Sequence, residues 1–127
     1  MYLKRKIDDY LKNWKISDEK FPLIVKGARQ IGKTASILNF AKENYKNVVY
    51  INFVTDEIFR TITKDGYSAQ TIVKNISYID TKMKFIENQT LIIFDEIQEY
   101  PEIATSLKFF KEDGRFDVIC SGSLLGI

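Results

Sequence analysis

The sequence predicts an α/β fold with a parallel sheet of about four strands, and three observations carry that expectation. Short apolar runs alternate with longer segments of helical periodicity, the pattern of successive strand–helix–strand units. A glycine-bearing octapeptide lies between the first apolar run and the helical segment after it. A later apolar run, Leu91-Ile92-Ile93-Phe94, passes directly into Asp95-Glu96. Such a continuous run suits a central parallel strand covered on both faces.

Each element has its own signal. Leu3, Ile7, Tyr10, Leu11 and Trp14 recur at helical spacing and predict an amphipathic N-terminal helix. Ser17-Asp18-Glu19-Lys20 breaks it. Phe21 to Lys26 reads as a buried strand centred on Leu23 to Lys26. A helix from Lys33 to Tyr45 follows, with Ile37, Phe40, Ala41 and Tyr45 on one side. Val48 to Phe53 is the second strand, and Asp56 to Ile62 is expected to form a short helix. After Gly66, Ser68 is expected to cap a longer helix whose stripe runs Ile72, Ile76, Ile79, Met83, Ile86. A stripe of that kind packs a core rather than binding a cofactor. Thr90 to Phe94 is the third strand. Pro101 suits the first position of a helix running to about Glu112, which Gly114 ends. Phe116 to Ser121 is the fourth strand, and parallel strands joined by helices imply right-handed crossovers.

Composition narrows the function. At 127 residues the chain fits one domain, residues 1–127. A charged fraction of 28% and a hydrophobic fraction of 45% are those of a globular protein. A net charge of +2 is too near balance to signal nucleic acid or an acidic membrane surface. Lys4, Arg5 and Lys6 read as a solvated helix end. Cys120 is the sole cysteine, which rules out an intrachain disulfide and a cysteine-cluster metal site; inside an apolar run it reads as a buried thiol. The N-terminus lacks the apolar core of a signal peptide, and no stretch reaches membrane-span length. Cytoplasmic localisation and no membrane partner are the expectation.

The octapeptide carries the chemistry. Gly27-Ala28-Arg29-Gln30-Ile31-Gly32-Lys33-Thr34 meets the phosphate-binding pattern G-x-x-x-x-G-K-[ST] at every fixed position, and Ala35 follows. The glycines let the backbone wrap closely, so that its amides converge on a phosphate at a helix N-terminus. Lys33 would reach the β- and γ-phosphates, and the Thr34 hydroxyl would ligate Mg²⁺. The strand before the loop and the helix after it supply the context the motif requires.

Asp95 and Glu96 form the second site. They fall at the carboxyl end of a strand, the end at which parallel sheets present ligand groups. The run looks like a Walker B motif, with Asp95 holding Mg²⁺ through water and Glu96 polarising the attacking water. The chain has no histidine, which makes Glu96 the local base. The fourth strand ends in Ser121-Gly122-Ser123. In a P-loop ATPase this strand lies between those of the two motifs, and a polar tip there can touch the γ-phosphate or the water. Ser121 is the candidate and Ser123 the alternative; a plain polar turn is the competing explanation.

Three segments together resemble one family. The phosphate loop from Gly27 to Thr34, then Phe94-Asp95-Glu96-Ile97-Gln98-Glu99-Tyr100-Pro101, then Ser121-Gly122-Ser123-Leu124-Leu125-Gly126 resemble the prokaryotic AAA-type ATPases that carry a C-terminal domain of unknown function. The resemblance spans nearly the whole chain. It implies a three-layer P-loop NTPase fold, RecA-like or AAA-like, with ATP as the nucleotide and Gly27, Gly32, Lys33, Thr34, Asp95 and Glu96 in matching positions. It also implies a longer protein, with a fifth strand, a lid and a further domain, so that this chain looks like a truncated fragment. With strand order 5-1-4-3-2, losing the fifth strand leaves the first as an open edge, and self-association through it is expected. The arginine finger of such proteins usually lies farther on; Arg29 and Arg115 are the substitutes within the chain.

Four functions compete on this evidence. The leading one is an ATP-hydrolysing core whose cycle, Mg²⁺-dependent, moves an attached domain. A nucleotide-binding module without turnover is the second. A small P-loop kinase is disfavoured by Asp95-Glu96 and by the lack of an arginine-rich lid. A nucleic-acid-dependent ATPase ranks low because no basic stripe is visible. Tyr10 or Trp14 could stack on the adenine, although both fit better as helix packing.

Overall fold

A computed structural model, describing residues 2–27 and 33–123, has four parallel strands in the order β1-β4-β3-β2. They are β1 (Leu23–Gly27), β2 (Asn47–Asn52), β3 (Thr90–Asp95) and β4 (Asp117–Ser123). Four α-helices accompany them: α1 (Tyr2–Lys15), α2 (Lys33–Asn44), α3 (Ala69–Ile79) and α4 (Leu107–Asp113). The α/β class and the parallel sheet are those the sequence predicts, and β4 lies between β1 and β3 as expected.

The two-residue period of a strand sorts the side chains into two cores. Leu91 and Ile93 of β3 join Ile119 and Leu23 beneath α1 and α2, against Leu11, Ile37, Phe40 and Ala41. Ile92 and Phe94 face the other way, with Val118 and Cys120, toward Ile72, Ile76, Leu107 and Phe110 of α3 and α4. The result is three layers, with β3 buried at every position. Phe94 sits in an aromatic column, 5.7 Å from Phe53 and 6.3 Å from Phe110 between ring centroids. That column anchors the strand immediately before Asp95. Removing such a buried ring costs about 3–5 kcal/mol.

Several boundaries move from their predicted places. β1 is less buried than expected, with Ile24 37% exposed and Phe21 exposed before it, because it is the terminal strand of the described sheet. The helix capped by Ser68, whose hydroxyl accepts from Thr71 N, ends at Ile79. Asp80 leaves helical geometry there, and its carboxylate takes the Lys82 amide at 2.9 Å. Met83 therefore packs on the core from a turn, and Ile86 lies largely outside it. The segment after Pro101 opens as a 3₁₀ helix over Pro101–Ser106 before becoming α4. Asp56 to Ile62 contains only a three-residue 3₁₀ turn, Glu57–Phe59. β4 starts one residue later than predicted and continues to Ser123. Gly114 ends α4 at φ 74°, a conformation open to glycine.

Candidate functional site

The strand period that builds the α2-side core also aims the polar ends of the strands. Asp95 continues the face of Leu91 and Ile93, and Ser121 that of Ile119. Phe94 pairs with Cys120 in register, so Asp95 and Ser121 follow side by side. α2 begins on the same side with Lys33 and Thr34. Two strand ends and one helix start thus meet at the carboxyl end of the sheet, where open parallel sheets bind ligands.

Asp95 is the centre of this arrangement. The residue is 5% exposed, and its carboxylate accepts four hydrogen bonds. Oδ1 takes the Ser121 hydroxyl at 2.5 Å and the Glu96 amide at 2.8 Å. Oδ2 takes the Tyr50 hydroxyl at 2.5 Å and the Thr34 hydroxyl at 3.2 Å. Among the described residues no lysine or arginine forms an ion pair with it. Burial first, and then the bond to Asp95, push the Tyr50 hydroxyl up to about 12, which keeps it a donor at neutral pH.

Glu96 follows in the left-handed region, at φ 58° and ψ 48°. For a residue with a Cβ this conformation costs about 1–2 kcal/mol, and such strain gathers at functional sites. Its Oε1 accepts from Gln98 Nε2 at 2.7 Å. Gln98 in turn lies against Gly122: a Cβ there would stand 2.9 Å from Gln98 Oε1 and 3.1 Å from Ile97 Cγ1. The Gly122 carbonyl accepts from Lys33 Nζ at 3.2 Å. Gly122 thereby touches both the loop lysine and the partner of the glutamate.

The structure therefore brings Lys33, Thr34, Asp95, Glu96 and Ser121 together. Ser121, expected to aim at the γ-phosphate or its water, gives its hydroxyl to Asp95. Gly27 ends β1 in register with Ser123, and Ala35 is exposed in the first turn of α2. Ala28, Arg29, Gln30, Ile31 and Gly32 lie outside the described residues. Arg115 pairs with Asp113 at 2.8 Å and precedes the amino end of β4, the far end of the sheet. Trp14 is occupied elsewhere. It packs on Phe40 at 6.4 Å, donates to the Phe21 carbonyl at 2.7 Å, and lines a groove of about 420 Å³ with Pro22, Phe116 and Asp117 at the amino ends of β1 and β4. Tyr10 is exposed on α1. Sequence reasoning missed Tyr50 and gave Gln98, which lies in the segment that carries the resemblance, no role. Their roles arise from pairing across strands and from a turn, contacts that the sequence pattern does not give.

The donor set fits a hard divalent cation. Thr34 and Asp95 supply oxygens within hydrogen-bond distance of each other. Among the described residues no group of three or more His, Cys, Asp or Glu could form an all-protein cage. Mg²⁺ is bound in just this way, through one or two protein oxygens with the rest from phosphate and water. Asp95 is buried and has no cationic partner among the described residues, and buried charges are either paired or held by a metal.

Comparison with known proteins bears on the family and the fold. The family described as "AAA domain" matches residues 19–127. PCH-2 of C. elegans shares the fold at a TM-score of 0.55 and 15% identity, over 94% of this chain and 37% of that one. The ORC1 protein of Aeropyrum pernix, in complex with DNA, does so at 0.53 and 13%, over 97% of this chain and 38% of that one. The chain thus spans less than two-fifths of either structure. No curated protein matches it in sequence. The low rank given to nucleic acid finds no support here, since one structure of this fold is bound to DNA. Among the described residues no helix is long and apolar enough to cross a membrane.

Proposed function

This chain belongs to the AAA domain family, and on that premise we propose that it is the ATP-binding core of a Mg²⁺-dependent ATPase. The observation that carries the proposal is Asp95: a buried carboxylate fixed by four uncharged donors, beside the Thr34 hydroxyl, at the start of the helix that bears Lys33. Thr34 and Asp95 would hold Mg²⁺, Asp95 through water. When bound, the ion neutralises charge developing on the β- and γ-phosphoryl oxygens.

The chain's own residues divide the remaining work. Gly27 to Ala35 cradle the phosphates, with Lys33 leaving the Gly122 carbonyl for the phosphate oxygens. Glu96 accepts the proton of the attacking water, and its left-handed backbone supports that reading because strain of this kind is retained for function. Ser121 holds Asp95 in orientation. We further propose that the ATP cycle moves a C-terminal domain, and that copies associate through β1, which has β4 as its one strand neighbour among the described residues.

A second reading, binding without turnover, is favoured by one contact: Gln98 holds Glu96 by hydrogen bond, which restrains the base. Calorimetric titration with ATP, ADP and GTP, with and without Mg²⁺, tests both. Mg²⁺-sensitive binding with adenine preference, lost in Lys33→Ala, supports the nucleotide site; equal affinity in Lys33→Ala overturns it. Phosphate release without an acceptor supports hydrolysis, and binding without release supports the second reading.

A further inference from the structure

We infer that Tyr50 is a positioning residue for the metal side of this site, holding the Asp95 oxygen that faces Thr34. The inference rests on the Mg²⁺–nucleotide reading above and adds a residue from outside both sequence motifs.

Tyr50 lies on β2 opposite Ile93 of β3, so its Cα is one strand period short of Asp95 on the same face. Diagonal positions on neighbouring strands are about 7–8 Å apart, a span that aromatic side chains cover and short ones do not. The phenol crosses it and places its hydroxyl 2.5 Å from Asp95 Oδ2. That is the oxygen to which Thr34 also donates. A phenylalanine would fill the same volume and lack the one atom that reaches Asp95.

The hydroxyl is itself held. Asn52 Nδ2 approaches it at 3.4 Å, while Asn52 Oδ1 accepts the amides of Val54 at 2.8 Å and Thr55 at 3.2 Å. Asn52 is thus pinned to the turn that ends β2. A polar line, Asn52 to Tyr50 to Asp95 to Ser121, crosses β2, β3 and β4. It clamps both carboxylate oxygens from opposite sides, Ser121 on Oδ1 and Tyr50 on Oδ2. A carboxylate free to rotate would present its lone pairs over a range of directions; one held at both oxygens presents them in one. Outer-shell groups of a metal site typically matter by about 10–100-fold in metal affinity, and Tyr50 fixes the outer-shell Asp95.

The experiment is Tyr50→Phe in the full chain, with Mg²⁺ titrated calorimetrically into protein saturated with ADP, ADP binding measured in chelator, and urea unfolding measured without ligand. The expected result is a rise in the half-saturating Mg²⁺ concentration on the order of tenfold, with metal-free ADP affinity unchanged. Asn52→Ala should move the Mg²⁺ dependence in the same direction, and it carries the test if Tyr50→Phe does not fold. An unchanged Mg²⁺ dependence overturns the role, whatever happens to stability. Equal loss of ADP affinity with and without Mg²⁺ also overturns it, because that is the mark of a purely structural strand tie. Wild-type protein showing no Mg²⁺-dependent nucleotide binding would instead overturn the underlying reading.

Discussion

Ser121 Oγ donates to Asp95 Oδ1 at 2.5 Å across neighbouring strands, with both side chains buried. The bond ties the tip of β4 to the carboxylate at the end of β3. Ser121→Ala leaves Oδ1 with the Glu96 amide as its described donor. A bond to a charged group contributes about 1.5–3 kcal/mol, and urea unfolding of the variant should show a loss of that size. Unchanged unfolding would mean the bond adds nothing net.

Glu96 combines a carboxylate with a strained backbone, and two substitutions separate them. Glu96→Gln keeps an oxygen able to accept from Gln98 and should retain nucleotide binding while hydrolysis falls by about 10²–10⁴-fold. Glu96→Gly also removes the carboxylate but relieves the left-handed cost, so its unfolding free energy should rise by about 1 kcal/mol. Full hydrolysis in Glu96→Gln would remove Glu96 from the base role.

A side chain at Gly122 would have to displace Gln98. An alanine Cβ would meet Gln98 Oε1 at 2.9 Å and Ile97 Cγ1 at 3.1 Å. Gly122→Ala should cost about 1–3 kcal/mol, the usual cost of overpacking. Trimming the neighbour with Gln98→Ala should reduce that penalty, a coupling that a double-mutant cycle in urea measures. Additive costs would show that the two residues do not interfere.

Cys120 is wholly buried, and burial pushes its thiol up to about 12 from 9.0. The folded state then holds a proton that the unfolded state releases. Stability from this group is full below pH 9.0 and is lost as pH rises toward about 12, with a slope of up to about 1.4 kcal/mol per pH unit. Burial first, then Asp117, raise the Tyr45 hydroxyl as well, with the same sign. Unfolding measured between neutral and alkaline pH should fall in that window, less steeply in Cys120→Ala. A thiol reagent should leave the native chain unmodified at neutral pH and react once urea unfolds it.

The sequence by itself determined the class of fold and raised the expectation of a nucleotide site. The apolar run from Leu91 to Phe94 announced a central strand, and Asp95-Glu96 after it announced the strand's functional end. Gly27 to Thr34 carries the spacing of a phosphate loop. These signals are legible because each lies within a few consecutive residues: strand alternation, helical spacing and loop-forming glycines are local properties of the backbone. Tertiary structure decided what meets what. That Tyr50 and Ser121 clamp the two oxygens of Asp95, that Gln98 bonds Glu96 and lies against Gly122, and that β1 is half-exposed all depend on strand order and register. A one-residue slip in register would turn Tyr50 to the opposite face of the sheet. Register is set by the sum of packing on both faces between segments far apart in the chain, and no single stretch of sequence contains it.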